Sequence, residues 1–426
     1  MKLALALLVL AGCGYRASFD NCSVRCADGV CPGGYACNAE GYCQLDGTTS
    51  CAMNPGDDAL PLDAFDPACV DVVCDEERAP ACIAGDTLRT FAHPGTCSAG
   101  TCSYPSVDEL CAGSCANARC TGRWIAMVEQ NAPAGRFGHT AVWTGDAMIV
   151  WGGAGSSTGS FGDGARYDAA TGVWTAISDQ GAPSPRRDHS AVWTGSEMIV
   201  FGGAPITQGT PFGDGAIYRP ATDSWRPLPT TGAPSPRFAH SAVWTGKEMI
   251  VWGGGTASTS SLADGAAYNP ATETWRTLAA ANAPSPRRDH VAVWTGTEMI
   301  VWGGSTIYAG GSVFGDAAAY DPVLDRWTPS ATTNAPSPRF QHAAVWTGSE
   351  LLLWGGAVSS TGTLGDGARL GLGTASWDAL PTTNQPSPRR DFTAVWTGRE
   401  MLLWGGSTIV DGGSVFGSGV ILQVFR

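Results

Sequence analysis

Residues 186–203 read Arg186-Arg187-Asp188-His189-Ser190-Ala191-Val192-Trp193-Thr194-Gly195-Ser196-Glu197-Met198-Ile199-Val200-Phe201-Gly202-Gly203. Asp188 to Trp193 has the composition of a strand, and Thr194-Gly195 supplies a tight turn. Glu197 to Phe201 is the next strand. Its run Met198 to Phe201 is apolar on both faces, as a strand packed between two neighbours must be, and Gly202-Gly203 ends it. A polar loop leads to a third strand, Gly215-Ala216-Ile217-Tyr218. The turn Pro220-Ala221-Thr222-Asp223 leads to a fourth, Trp225-Arg226-Pro227-Leu228. The segment Ala233-Pro234-Ser235-Pro236-Arg237 then crosses to the next unit.

This unit is repeated. The Gly-Gly pair begins at Gly152, Gly202, Gly253, Gly303, Gly355 and Gly405, at intervals of 50, 51, 50, 52 and 50 residues. A Trp follows the same intervals at Trp124, Trp174, Trp225, Trp275, Trp327 and Trp377. Two ladders in register are not a chance pattern. Four antiparallel strands in each of six units describe an all-β, six-bladed propeller. The last unit ends with Gly419-Val420-Ile421-Leu422-Gln423-Val424 and has no fourth strand, while Trp124-Ile125-Ala126-Met127 is a spare strand at the start. That spare strand is expected to complete the sixth blade and so remove an open sheet edge.

The Gly-Gly pair after an apolar run, with Tyr and Trp six residues apart, resembles the Kelch repeat of the galactose oxidase and Kelch propeller superfamily. Tyr167 precedes Trp174 in this way, as Tyr218 does Trp225, Tyr268 does Trp275 and Tyr320 does Trp327; in the fifth unit Leu370 replaces Tyr. The resemblance covers about 300 residues. It implies that the inter-blade connection and the loop after Gly-Gly share one face, which commonly binds a partner.

The N-terminus reads differently. Met1-Lys2, an apolar run from Leu3 to Leu10 and then Ala11-Gly12-Cys13 form an export signal over residues 1–12. The apolar run is too short to span a ~30 Å hydrocarbon core. Leu10-Ala11-Gly12-Cys13 resembles the lipobox of bacterial lipoproteins, which implies cleavage before Cys13 and acylation of that residue. An ordinary signal peptide with Cys13 in a disulfide is the other reading. All 15 Cys lie between Cys13 and Cys120, and without Cys13 fourteen remain. They form two even groups, a first module at 13–51 and a second at 69–122, joined by a linker at 52–68 rich in Asp, Pro and Ala. Export implies an oxidising compartment and a disulfide framework in place of a large core. Structural zinc is the rival reading, but no C-x-x-C occurs and His93 is the single His of the segment.

Composition excludes some partners. Charged residues make up 15%, Gly numbers 57 and the formal net charge is −13. Fifteen acidic and five basic residues lie between Gly14 and Gly122. No basic groove is present, so nucleic acid is not an expected partner.

Three sets of polar residues repeat within the propeller, residues 123–426. The first is His139, His189, His240, His290 and His342, with Phe392 in the sixth unit. Imidazoles around a channel suggest a metal, but a repeated structural hydrogen bond within each blade is the better reading, so no metal and no cofactor are expected. The second set is Arg136, Arg186, Arg237, Arg287, Arg339 and Arg389. A ring of guanidinium groups suits carboxylate recognition. Alternatively these residues form inter-blade salt bridges, for instance to Glu197, Glu248, Glu298, Glu350 and Glu400, and a scaffold role is favoured. The third set comes from alternation. Units one, three and five read Arg136-Phe137, Arg237-Phe238 and Arg339-Phe340, whereas the even units read Arg186-Arg187-Asp188, Arg287-Arg288-Asp289 and Arg389-Arg390-Asp391. The charged clusters Arg187/Asp188, Arg288/Asp289 and Arg390/Asp391 are therefore a candidate binding face together with the second set; packing alternation is the competing reading.

The expected function is a non-enzymatic protein- or glycan-binding scaffold, exported and anchored through Cys13 in a bacterial cell envelope, at the outer membrane or cell surface. The alternative is a carbohydrate-active propeller enzyme of mutarotase type. No catalytic residue is assigned. The copper site of galactose oxidase, with its Tyr–Cys cross-link, cannot form within the propeller because no Cys follows Cys120.

Overall fold

The computed structural model describes residues 35–37, 43–45, 81–83, 87–91, 96–98, 101–104, 106–110, 115–116, 119–120 and 123–423, apart from 157–158, 207–208, 258–259, 307–310, 331–333, 361, 372–375, 383 and 409–412. The signal segment, Cys13 and the linker at 52–68 lie outside the described residues. The chain divides into two compact units, one formed by Met1–Leu110 with Cys115–Arg119, the other by Cys111–Ser114 with Cys120–Arg426. The described part of the first consists of short antiparallel strands. Tyr35–Cys37 pairs with Cys43–Leu45, Thr96–Ser98 pairs with Thr101–Ser103, and Ala81–Ile83, Thr87–Phe91 and Ser106–Leu110 form a three-stranded sheet. Among the described residues no helix is long and apolar enough to cross a membrane.

The second unit is a six-bladed propeller of six four-stranded antiparallel sheets. Blade two is representative: Ser190–Trp193, Met198–Phe201, Gly215–Arg219 and Ser224–Pro227 hydrogen-bond in that order. The first strand of each blade touches the first strands of both neighbours, so these strands lie innermost and their circle is closed. Blade six is assembled from both ends of the unit. Thr393–Trp396, Glu400–Trp404 and Gly419–Gln423 are completed by Arg123–Ala126, with Trp124 opposite Leu422 and Ala126 opposite Val420.

The doubly apolar second strands explain how blades adhere. In Met198–Phe201 the alternate residues Met198 and Val200 pack against Val142, Ile149 and Trp151 of blade one. Ile199 and Phe201 pack the other way, against Met249, Val251 and Tyr268 of blade three. Each such side chain contributes about 1.5–3 kcal/mol on burial. The Trp ladder serves the same joints. The fourth-strand indole of each blade lies against the aromatic ring that ends the second strand of the preceding blade. These pairs are Trp174–Trp404, Trp225–Trp151, Trp275–Phe201, Trp327–Trp252, Trp377–Trp302 and Trp124–Trp354, with centroids 5.1–5.9 Å apart. The spare N-terminal strand thus brings the Trp that the blade five–blade six joint requires.

The first strands begin later than the sequence pattern suggests. Asp188 and His189 stand outside the strand Ser190–Trp193 because Asp188 has a φ of 55°, which breaks extended pairing. The same left-handed conformation recurs at Gly138, Ala239, Asp289, Gln341 and Asp391. At the other end of the second strand, Gly152 and Gly153 have φ of 69° and 92°, and a Cβ on Gly153 would lie 2.8 Å from the Phe137 carbonyl oxygen. The Gly-Gly pair is therefore a close approach of two backbones as well as a turn.

A chain beginning at Val128 loses the strand Arg123–Ala126 and with it the Trp124–Trp354 contact. Hydrogen exchange is expected to accelerate across Gly419–Gln423 and stay unchanged near Trp252 and Trp302. Equal protection in the shortened and full chains would mean that this strand does not close the ring.

Candidate functional site

At the axis the six left-handed residues join into a continuous circuit. The Asp188 N–H donates to the Gly138 carbonyl at 2.7 Å, Ala239 to Asp188 at 2.7 Å, Asp289 to Ala239 at 2.9 Å and Gln341 to Asp289 at 2.9 Å. Asp391 donates to Gln341 at 3.1 Å, and Gly138 closes the circuit by donating to Asp391 at 3.0 Å. Each blade thus gives one peptide N–H to the blade before it. The bend needed at each position forces φ positive, which explains why the second residue before every first strand is Gly, Asp, Ala or Gln rather than a β-branched residue.

The histidines stand next in sequence and also look backwards, which corrects the expectation of a hydrogen bond within each blade. His189 Nε2 bonds Thr140 of blade one at 2.8 Å, and His240 and His290 bond Ser190 and Ser241 at 2.8 Å. His139 reaches Thr393 of blade six at 2.8 Å. Each ring also sits edge-on to the aromatic residue ending the preceding blade's second strand, as His139 does on Trp404. Burial and the nearby Arg136 push the His139 imidazole down to about 3; burial and Arg287 do the same to His290. The rings are neutral at ordinary pH and serve as inter-blade joints.

The six arginines are scaffold. Arg136, Arg186, Arg237, Arg287, Arg339 and Arg389 are all buried. Each donates to a Gly-Gly carbonyl of its own blade, for example Arg136 Nη1 to Gly152 at 2.8 Å. Their ionic partners are aspartates and not the glutamates considered from the sequence. Arg136 pairs with Asp163, Arg186 with Asp214, Arg237 with Asp264, Arg287 with Asp316 and Arg339 with Asp366, at 2.8–3.1 Å. The glutamates are engaged at the other end of the second strand, Glu197 with Arg219 and Glu248 with Arg276. The aspartates recur in register, just before the third strand, and that recurrence was the available signal. Blade six breaks the pattern. Ser418 stands where the other blades have Asp, and burial without a carboxylate beside it lowers the Arg389 guanidinium to about 10.

The two-blade alternation has a packing basis. Arg187 lies over the ring of Phe137, Arg288 over Phe238 and Arg390 over Phe340, each even blade covering the odd blade before it at 5.2–5.8 Å. Cation–π pairs of this sort contribute about 0.5–2 kcal/mol each. Arg288 and Arg390 are buried, and Arg390 also donates to the carbonyls of Ser359 and Ser360 at 3.1 and 3.0 Å. Of the residues considered for a binding face, the structure therefore brings the three aspartates together at the axis and turns the arginines into the wall behind them.

Asp188, Asp289 and Asp391 line an axial cavity of about 160 Å³, alternating around it with Gly138, Ala239 and Gln341. The isolated bridges Arg187–Ala204, Arg288–Ser305 and Arg390–Ser407 tie the same segments to the loops after Gly-Gly, so cavity and loops lie at one end of the propeller. Asp188 is ion-paired with Arg187 at 2.9 Å. Burial, then the Asp188 charge, pushes the Asp289 carboxyl up to about 7 against the pull of Arg288 and Arg187. Burial and both other aspartates hold Asp391 well above the usual carboxylate range. Three carboxylates in one small desolvated space cannot all be charged cheaply.

Ser418→Asp should supply the ionic partner that Arg389 lacks. The expected gain is about 1 kcal/mol, limited because the matching aspartates are more than half exposed. Reversible denaturant unfolding measures it; no gain, or a loss, would show that blade six holds Arg389 differently.

Residues 114–234 and 206–406 match the family model described as the KLHDC2/KLHL20/DRC7 Kelch-repeats domain. No curated protein matches the chain. Kelch domains are typically protein-interaction modules. The matched segments, 114–406 together, cover more than half of the sequence and coincide with the propeller, so the chain belongs to the Kelch-repeat family.

Proposed function

We propose that this protein is an envelope lipoprotein, acylated at Cys13, that displays its Kelch propeller as a scaffold for a protein or glycan partner at a bacterial outer membrane or cell surface. The observation that carries the scaffold reading is the division of labour among the repeats. The repeated His side chains are spent on joining neighbouring blades and the repeated Arg side chains on fixing the Gly-Gly turn of their own blade, while the loops after Gly-Gly differ between blades. Blades four and six carry Gly310-Gly311-Ser312-Val313-Phe314 and Gly412-Gly413-Ser414-Val415-Phe416, and blade five the shorter Ser359-Ser360-Thr361-Gly362. Recognition concentrates in variable loops on a rigid frame.

The lipid anchor rests on Leu10-Ala11-Gly12-Cys13 and on the even number of the other cysteines. The disulfide-rich reading of 13–122 rests on the even cysteine count behind an export signal, and it is compatible with the backbone register that sets Cys37 opposite Cys43 and Cys97 opposite Cys102. Such cross-links hold a segment too small for a core of its own.

Cys13→Ser is expected to move the protein from the membrane to the soluble fraction in a bacterial host, and intact mass should show acyl chains on the native chain alone. An unmodified Cys13 in the native chain would sink the anchor. For the scaffold, the soluble Cys13→Ser protein is to be screened against arrayed envelope proteins and glycans. Replacing the loop 306–312 by the blade five loop 358–362, which leaves Phe314 under Arg287 and Asp316 in place, should weaken a captured partner at least several-fold without changing the melting temperature. Undiminished capture would place recognition elsewhere.

A further inference from the structure

We propose that blade six carries a binding site for one small carboxylate anion, of the size of formate or acetate, on the guanidinium of Arg389.

The other blades show what this guanidinium is built to hold. In blade five, Arg339 Nη1 donates to the Gly355 carbonyl and Nη2 to Ser337 Oγ, both at 3.1 Å, and the two nitrogens also meet Asp366 Oδ1 at 3.1 Å and Oδ2 at 2.9 Å. Arg237 Nη2 does the same with Ser235 Oγ at 3.0 Å and Asp264 Oδ2 at 3.1 Å. Arg389 keeps all of this except the carboxylate. Its Nε donates to the Ser387 carbonyl at 3.3 Å, Nη1 to the Gly405 and Ser418 carbonyls at 3.1 and 3.2 Å, and Nη2 to Ser387 Oγ at 3.3 Å. A guanidinium carries one more N–H than these bonds use. The donor left over is on Nη2, and its counterpart in blade five is taken up by Asp366 Oδ2. Ser418 stands at the aspartate position, and among the described residues no Asp or Glu pairs with Arg389.

The position faces solvent. Arg389 is 3% exposed, whereas Arg136, Arg186, Arg237, Arg287 and Arg339 are wholly covered. The aspartates beside those five are themselves 54–60% exposed, so a carboxylate held there is in contact with water. Serine ends in a single hydroxyl where aspartate ends in two oxygens. Ser418 therefore withdraws the internal ligand and offers a hydrogen-bond donor instead.

Charge and shape set the ligand class. Burial lowers the Arg389 guanidinium only to about 10, so it is a cation at neutral pH. A buried cation without its counter-ion favours an anion that hydrogen-bonds to it. Phe416 covers one face of the guanidinium at 4.1 Å, as Phe161 and Phe212 cover Arg136 and Arg186 at 4.4 and 4.2 Å. The anion is met along the Nη edge, as the aspartates are, and a planar carboxylate matches that edge. One aspartate side chain fills this place in the other blades, which sets the size, and a single positive charge sets a monovalent ligand.

The test is thermal melting of the full chain in sodium formate and in sodium acetate, against sodium chloride at equal ionic strength, with titration calorimetry for affinity. At about 0.1 M, one of the two carboxylates should raise the melting temperature by about 2 °C more than chloride does. Ser418→Asp supplies a carboxylate from within, and Ser418→Asn supplies a neutral acceptor in the same space. Both should lose that difference, and calorimetry should show binding at least several-fold weaker. General effects of the salts on the protein surface act alike on the native chain and on both variants. No extra rise in the native chain, or the same rise in the two variants, would overturn the proposal.

Discussion

Six peptide hydrogen bonds around the axis are the constraint on which the rest of the propeller depends. Each runs from one blade to the one before it, and the circuit closes only because Gly138 of blade one accepts its place beside Asp391 of blade six. To make these bonds, every blade must bend its chain into the left-handed region one residue before the histidine, or before Phe392 in blade six. That bend directs the imidazole toward the preceding blade and fixes where the first strand starts. The apolar second strands and the Trp ladder then fill the wedge between sheets. Neighbour contacts therefore appear at three radii: peptide bonds at the centre, His–Ser or His–Thr bonds farther out, and aromatic pairs at the rim. A blade removed from its neighbours would lose all three, so the stability of each belongs largely to its joints.

Much of this was legible in the sequence because period and alternation are direct images of packing. The 50-residue ladders of Gly-Gly and Trp mark the blades, and Met198 to Phe201 must be buried on both sides whatever lies beside it. The spare strand at Trp124 follows from counting strands. What the sequence did not show was direction. A His before a strand can bond within its own sheet or to the next one, and only the left-handed bend at Asp188 decides. Arg136 has acidic residues available at several distances, and Asp163 wins because the Gly-Gly turn folds the third-strand entrance over the guanidinium. Cation–π stacking of Arg187 on Phe137 was hidden for the same reason, since the two are 50 residues apart and meet only across a joint.

The departures from the repeat are informative because one is matched across its joint and two are not. Phe392 replaces His at the blade five–blade six joint, and the Ser or Thr it would have met is Ala343. Both partners became apolar, which spares the joint a stranded polar group. At the blade four–blade five joint the change is half made. Val291 has lost the hydroxyl, while His342 remains and its Nε2 has no partner. Ser418 opposite Arg389 is a second unmatched change. Both lie in the C-terminal half of the ring, where blade five also has Leu370 in place of Tyr.

The Arg-on-Phe stacking joins blade one to two, three to four and five to six, and none of these contacts crosses the remaining three joints. The propeller is thus chemically a ring of three two-blade parts. Parity follows: a lineage that gains or loses one blade places two like blades side by side, Phe against Phe or Arg against Arg, and must repair that joint by substitution. A gain or loss of two blades leaves every joint with its proper partner. Circumference in such a ring can therefore change in steps of about a hundred residues at little structural penalty, while the smaller step meets a barrier built from three stacked pairs.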